Sequence, residues 1–175
     1  MENKGKTKLF IIIAALFVVA SFIFMFGRTA FTGSSIRKTD STVMPEATGT
    51  TEAINDGYVV KQTYVNTTET ISNIGIVFYR VTLLENVDLV IELLDGDKTL
   101  VRKVIPASEV SSEHRTFIDP DSVLSGMKDK ELTLKIYSKD DSDTGLTVMV
   151  NNKAKSTYSF NGKNEKGTLC FSVNE

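Results

Sequence analysis

Few side chains in this chain have the types and spacing that catalysis needs. Nucleophilic catalysis requires a base beside a nucleophile, and the only histidine is His114, in SSEHRTF. Ser111, Ser112 and Glu113 adjoin it in sequence. Successive strand residues point to opposite faces, however, so adjacency builds no dyad, and His114 reads as an edge or surface histidine. The single cysteine, Cys170, faces opposite to its neighbours Leu169 and Phe171. That is the position of a half-buried small residue; a reactive thiol needs electropositive, partly exposed surroundings. One Cys and one His cannot make a zinc cluster, and a lone Cys makes no intrachain disulfide. Asp140, Asp141 and Asp143 in KDDSDTG have the two-residue spacing of a calcium loop. The closing glutamate of such a loop is missing, because residues 146–150 alternate as a strand, so a solvated turn is expected. Asp95 and Asp97 flank Gly96 in the same manner. Glycoside hydrolysis needs two carboxyls flanking a sugar, and nothing in the sequence singles out a pair. The expectation is a non-enzyme, with no catalytic, metal-ligating or cofactor-binding residue.

Binding without chemistry asks less. An aromatic ring can cover the apolar face of a sugar, and the candidates are Tyr64, Tyr79, Tyr137 and Tyr158. Tyr79 and Tyr137 fall where their strands point away from the core. Asn66-Thr67-Thr68 is a glycosylation sequon, meaningful only in a eukaryotic secretory pathway.

The elements that would position these residues follow from patterning. Residues 9–26 form an unbroken apolar run, LFIIIAALFVVASFIFMF, with Ser21 its only polar residue. At ~1.5 Å per residue it makes a helix of roughly 27 Å, close to the ~30 Å hydrocarbon core of a bilayer. Lys4, Lys6 and Lys8 precede it. A single-pass signal-anchor over 9–27 is expected, with residues 1–8 a basic cytoplasmic tag and the C-terminal part extracytoplasmic. Val18-Val19-Ala20 offers a cleavage point after Ala20, but the apolar run continues past it. Residues 28–57 hold thirteen Ser, Thr or Gly in thirty positions and read as a flexible linker. After Gly27, 17 Lys and Arg stand against 21 Asp and Glu, a balance unlike that of a nucleic-acid binder.

From Tyr58 the pattern is β. Leu89, Ile91 and Leu93 alternate with Asp88, Val90 and Glu92, and Leu132, Leu134 and Ile136 alternate likewise. Strands are predicted at about 58–65, 70–80, 86–94, 97–105, 114–118, 131–138, 144–150, 155–160 and 168–173. Asp95-Gly96 and Asn161-Gly162 suit tight turns. Residues 106–110 (PASEV) and 120–124 (PDSVL) suit single helical turns. The predicted fold for residues 58–175 is all-β, an antiparallel β-sandwich of jelly-roll type.

Several of these stretches form a recognisable series: KQTY at 61–64, ISNIGIVF at 71–78, VDLVIELLD at 87–95, KVIPASEV at 103–110, RTFIDP around Phe117, LTLKIYS at 132–138 and GTLCF at 167–171. The series resembles the extracytoplasmic jelly-roll module that accompanies bacterial membrane proteins of cell-surface polysaccharide synthesis. The resemblance implies a cell-envelope setting and carries no functional residues with it. The expected role is a membrane-anchored module, held to the cell membrane through residues 9–27, that binds a glycan or another envelope component. The alternative is an accessory or scaffold subunit docking on a multi-span membrane protein.

Overall fold

The structure is a computed structural model and describes residues 43–55, 57–82, 87–140 and 142–175. The expected basic tag, the membrane segment over 9–27, the cleavage point after Ala20 and residues 28–42 of the expected linker lie outside the described residues. Among the described residues, no helix is long and apolar enough to cross a membrane.

The described chain is all-β. Its strands are β1 (Gly49–Thr50), β2 (Val59–Val65), β3 (Thr70–Ile71), β4 (Asn73–Arg80), β5 (Asp88–Asp95), β6 (Lys98–Pro106) and β7 (Arg115–Ile118). There follow β8 (Leu124–Ser125), β9 (Glu131–Ser138), β10 (Leu146–Asn151), β11 (Thr157–Phe160), β12 (Lys163–Lys166), β13 (Thr168–Leu169) and β14 (Phe171–Asn174). The first sheet is centred on β4. Along one edge of β4 runs β7; along the other, β14 pairs with its first half and β10 with its second. Beyond these, β1 and β13 pair with β10. The second sheet has the order β12-β11-β2-β9-β5-β6, and β3 and β8 form a separate short ladder. The pairings within these sheets are antiparallel.

Period-two patterning sets which residues meet between the sheets. Leu89, Ile91, Leu93, Leu134 and Ile136 of the second sheet join Ile74, Ile76, Phe78 and Val148 of the first in one buried cluster. Burying each such side chain contributes about 1.5–3 kcal/mol. Gln62 ties the layers together from the middle of β2. Its Nε2–H donates to Thr168 Oγ1 at 2.8 Å, and its Oε1 accepts the Leu169 N–H at 2.6 Å. Two residues on, Tyr64 meets Phe171 edge to face, with ring centroids 4.9 Å apart. The KQTY stretch therefore builds the join between the layers.

Turn chemistry matches the sequence at two hairpins. Asp95 and Lys98 close the β5–β6 hairpin around Gly96. Asn161 and Gly162 take φ of 47° and 77° between β11 and β12, the paired positive angles of a type I′ turn. Residues 107–109 form a 3-10 turn, as PASEV predicts. Arg80 fastens it by donating to the carbonyls of Ala107, Ser108 and Val110.

Three sequence expectations need correction. The sandwich begins upstream of Tyr58, inside the expected 28–57 linker. Thr48, Thr51 and Ile54 donate backbone N–H bonds to Val150, Val148 and Leu146 of β10, and Ile54 is fully buried. The Thr-rich composition that reads as a linker serves this edge instead: Thr51 Oγ1 accepts the Val148 N–H, and Thr48 Oγ1 the Asn152 N–H. Residues 120–124 form no helical turn, because Leu124 opens β8 and pairs with Ile71 of β3. The predicted strand list also lacks β1, β8 and β12. The first two have only two residues each, and β12 is exposed along its whole length, so none carries an alternating signal.

Candidate functional site

The outer face of the first sheet carries the exposed aromatic residues. On β4, Ile74, Ile76 and Phe78 point into the core, which turns Gly75, Val77 and Tyr79 outward. Register places Phe117 of β7 opposite Gly75 and Arg115 opposite Val77. Phe117 is 55% exposed and Tyr79 40%. Gly75 is what allows Phe117 to sit low on the sheet. A Cβ built there would lie 3.3 Å from Phe117 Cε1, 3.3 Å from Ser172 Oγ and 3.6 Å from Arg115 Cδ. The ring and the arginine stem thus close over a backbone that has no side chain of its own. Ser172, on the other side of Gly75, is fully buried, and its Oγ has no hydrogen-bond partner among the described residues.

The outer face of the second sheet is built differently. Glu92 of β5 points outward, yet is only 8% exposed. Its Oε2 accepts from Lys135 Nζ at 2.9 Å and its Oε1 from the Tyr137 hydroxyl at 3.0 Å, with Arg102 Nε 3.3 Å away. Burial pushes this carboxyl up. The hydrogen bonds from Lys135 and Tyr137 and the charges of Lys135 and Arg102 outweigh it, so its pKa lies below the ordinary 4.5. Lys135 Nζ also sits 4.2 Å from the centre of the Tyr137 ring. Lys130 pairs with Asp95 and Lys139 with Asp88, both at 2.9 Å. A cleft of about 250 Å³ lies between β6 and residues 120–124, and its Lys103 is paired with Asp121.

The four candidate tyrosines part company. Tyr79 and Tyr137 do turn away from the core, but onto opposite outer faces of the sandwich, and Tyr137 is engaged with Glu92. Tyr64 and Tyr158 are buried, at 2% and 7% exposure, and offer no platform. Burial raises the Tyr64 hydroxyl far above its ordinary pKa, and this oxygen has no hydrogen-bond partner among the described residues. His114 is exposed, with Nδ1–H donating to the Ser112 carbonyl at 2.9 Å; the Ser112 hydroxyl instead accepts the Arg80 N–H. Cys170 is buried at 1% exposure, and burial pushes its thiol up to about 11. Asp143 Oδ1 accepts the Gly145 N–H at 2.8 Å, as a turn residue does, while Asp141 lies outside the described residues. Among the described residues no group of three His, Cys, Asp or Glu side chains is placed to hold a metal ion. The sequon asparagine, Asn66, is fully buried, and its Nδ2 donates to the carbonyls of Thr68 and Met127.

Two residues of the aromatic face escape the sequence reading, which ranks tyrosines only. Phe117 alternates with Thr116 and the buried Ile118, and that alternation already marks it as outward. Arg115 has the same parity. Fold and site together define an antiparallel β-sandwich with one aromatic outer face and one ion-paired outer face. No protein-family model matches this chain, and no curated protein matches it.

Proposed function

We propose that this chain is a single-pass membrane protein whose extracytoplasmic sandwich, wound as a jelly roll, binds a cell-envelope glycan without chemistry on it. The binding surface is the outer face of the first sheet. The observation that carries this reading is the pair of exposed rings, Phe117 and Tyr79, on one sheet face, with Phe117 laid over Gly75. A sugar ring presents an apolar face that such rings desolvate, while its hydroxyls stay in contact with water and polar side chains. Residues 9–27 supply the anchor through their uncharged apolar run. The winding is supported by the order of strands: β2, β5, β6, β9, β11 and β12 belong to one sheet and β4, β7, β10, β13 and β14 to the other, so most connections change layer. Docking on a multi-span membrane protein would call for a larger apolar patch than two rings flanking an arginine.

Co-sedimentation of the full chain with insoluble envelope polysaccharide tests the reading. Binding that Phe117→Ala abolishes supports it; no retention on any polysaccharide fraction overturns it.

A further inference from the structure

We infer that the glycan is anionic, and that Arg115 receives its carboxylate or phosphate groups. The inference rests on the aromatic-face reading above and adds the charge of the ligand to it.

The first sheet has an unusual charge inventory. The chain holds 22 Asp and Glu, yet β4 (NIGIVFYR), β7 (RTFI), β10 (LTVMVN) and β14 (FSVN) contain none. Their only charged residues are Arg80 and Arg115. Arg80 is committed to the carbonyls of residues 107, 108 and 110. Arg115 is exposed and forms no ion pair among the described residues. The second sheet shows the opposite arrangement. There Lys135 and Arg102 face Glu92, Lys130 faces Asp95, and Lys139 faces Asp88. In the strands of that sheet Arg102, Lys103 and Lys135 are answered within the protein, while Lys61, Lys98, Lys163 and Lys166 have no ion pair among the described residues. What sets Arg115 apart is that it stands beside an exposed ring.

Its position suits the receipt of an acidic group. Register puts the Arg115 backbone at the level of Val77, between Phe117 at Gly75 and Tyr79. Each step is two residues, or ~7 Å at ~3.4 Å per residue. The Arg115 side chain runs back towards Gly75, with Cδ 3.6 Å from a Cβ built there and the Phe117 ring on the same spot. A sugar ring laid on Phe117 therefore has the base of the guanidinium beside it, and a chain of such rings runs on along β4 towards Tyr79. Guanidinium presents a planar fork of donors that matches carboxylate and phosphate geometry. No carboxylate lies within these strands themselves; the nearest in sequence to Arg115, Glu113 and Asp119, stand just outside the two ends of β7.

The test uses the full chain in detergent micelles and three immobilised probes: dextran (neutral), polygalacturonate (carboxylated) and a poly(glycerol phosphate) polymer. The expected result is preferential binding to at least one acidic polymer. It should weaken at least tenfold in Arg115→Gln, recover in part in Arg115→Lys, and fall as salt is raised from 0.05 to about 0.5 M. Which acidic polymer is preferred tells carboxylate from phosphate. Equal or better binding to dextran, lost in Phe117→Ala but unchanged in Arg115→Gln, overturns this inference and leaves the aromatic-face reading intact. Binding to none of the three overturns the inference. Acid-polymer binding that persists in Phe117→Ala overturns the aromatic-face reading itself. Equal unfolding midpoints for all variants confirm that the losses are not failures to fold.

Discussion

Gln62 adds a polar bridge to the apolar join between the sheets, and replacing it with leucine tests that directly. Gln62 is 2% exposed and makes two bonds across the sandwich, to Thr168 Oγ1 at 2.8 Å and from the Leu169 N–H at 2.6 Å. Leucine keeps the bulk and supplies neither partner. The Leu169 N–H is then stranded in the core, at a cost of about 1–3 kcal/mol. Loss of the bond to Thr168 costs about 0.5–1.5 kcal/mol more. The Thr168 hydroxyl keeps its contact with the Leu169 carbonyl at 3.3 Å and adds no further penalty. The expected destabilisation of Gln62→Leu is therefore about 2–4 kcal/mol, partly offset by the better burial of leucine. Thr168→Val removes only the second bond and should cost about 1 kcal/mol. Urea unfolding followed by circular dichroism reads both, and the double mutant gives the coupling. A Gln62→Leu variant within about 0.5 kcal/mol of wild type would refute the bridging role.

Tyr64→Phe removes a buried hydroxyl that has no hydrogen-bond partner among the described residues and should leave stability unchanged or raise it by up to about 1 kcal/mol. Tyr64→Ala opens the core beside Phe171 and should cost about 3–5 kcal/mol; urea midpoints separate the two. Ile54→Ala should cost about 2–5 kcal/mol if residues 48–55 belong to the sandwich, and within about 0.5 kcal/mol if they are a free linker. The Glu92 carboxyl has a pKa below its ordinary 4.5, so its contribution is fully present above that value. That contribution is lost as pH falls through the folded pKa. Unfolding curves between pH 7 and about 3 should show this acid loss in wild type and a smaller one in Glu92→Gln.

Much of the fold is legible in the chain because alternation reports one thing directly, which side of a strand meets the core. Leu132, Leu134 and Ile136 show it in β9, and Leu89, Ile91 and Leu93 in β5. Alternation is silent where a strand has two residues, as in β1 and β8. It also misleads where hydroxyls take over backbone bonding, as with Thr48 and Thr51. Parity further tells outward from inward without telling which outward face. Tyr79 and Tyr137 read alike in sequence and lie on opposite sides of the sandwich, because strand-to-sheet assignment depends on pairings between distant segments. The candidate surface needed that assignment. Only once β7 is laid beside β4 do Phe117 and Arg115 fall into line with Gly75, Val77 and Tyr79.

The most direct test of the aromatic face is polysaccharide binding by the full chain and by Phe117→Ala and Tyr79→Ala, with Tyr137→Phe as the control on the opposite face. The account predicts retention of wild type and of Tyr137→Phe on envelope polysaccharide, with each of the first two substitutions weakening it about tenfold or more, a change of ~1.4 kcal/mol. Retention unaffected by either Phe117→Ala or Tyr79→Ala, or lost in Tyr137→Phe instead, would contradict it.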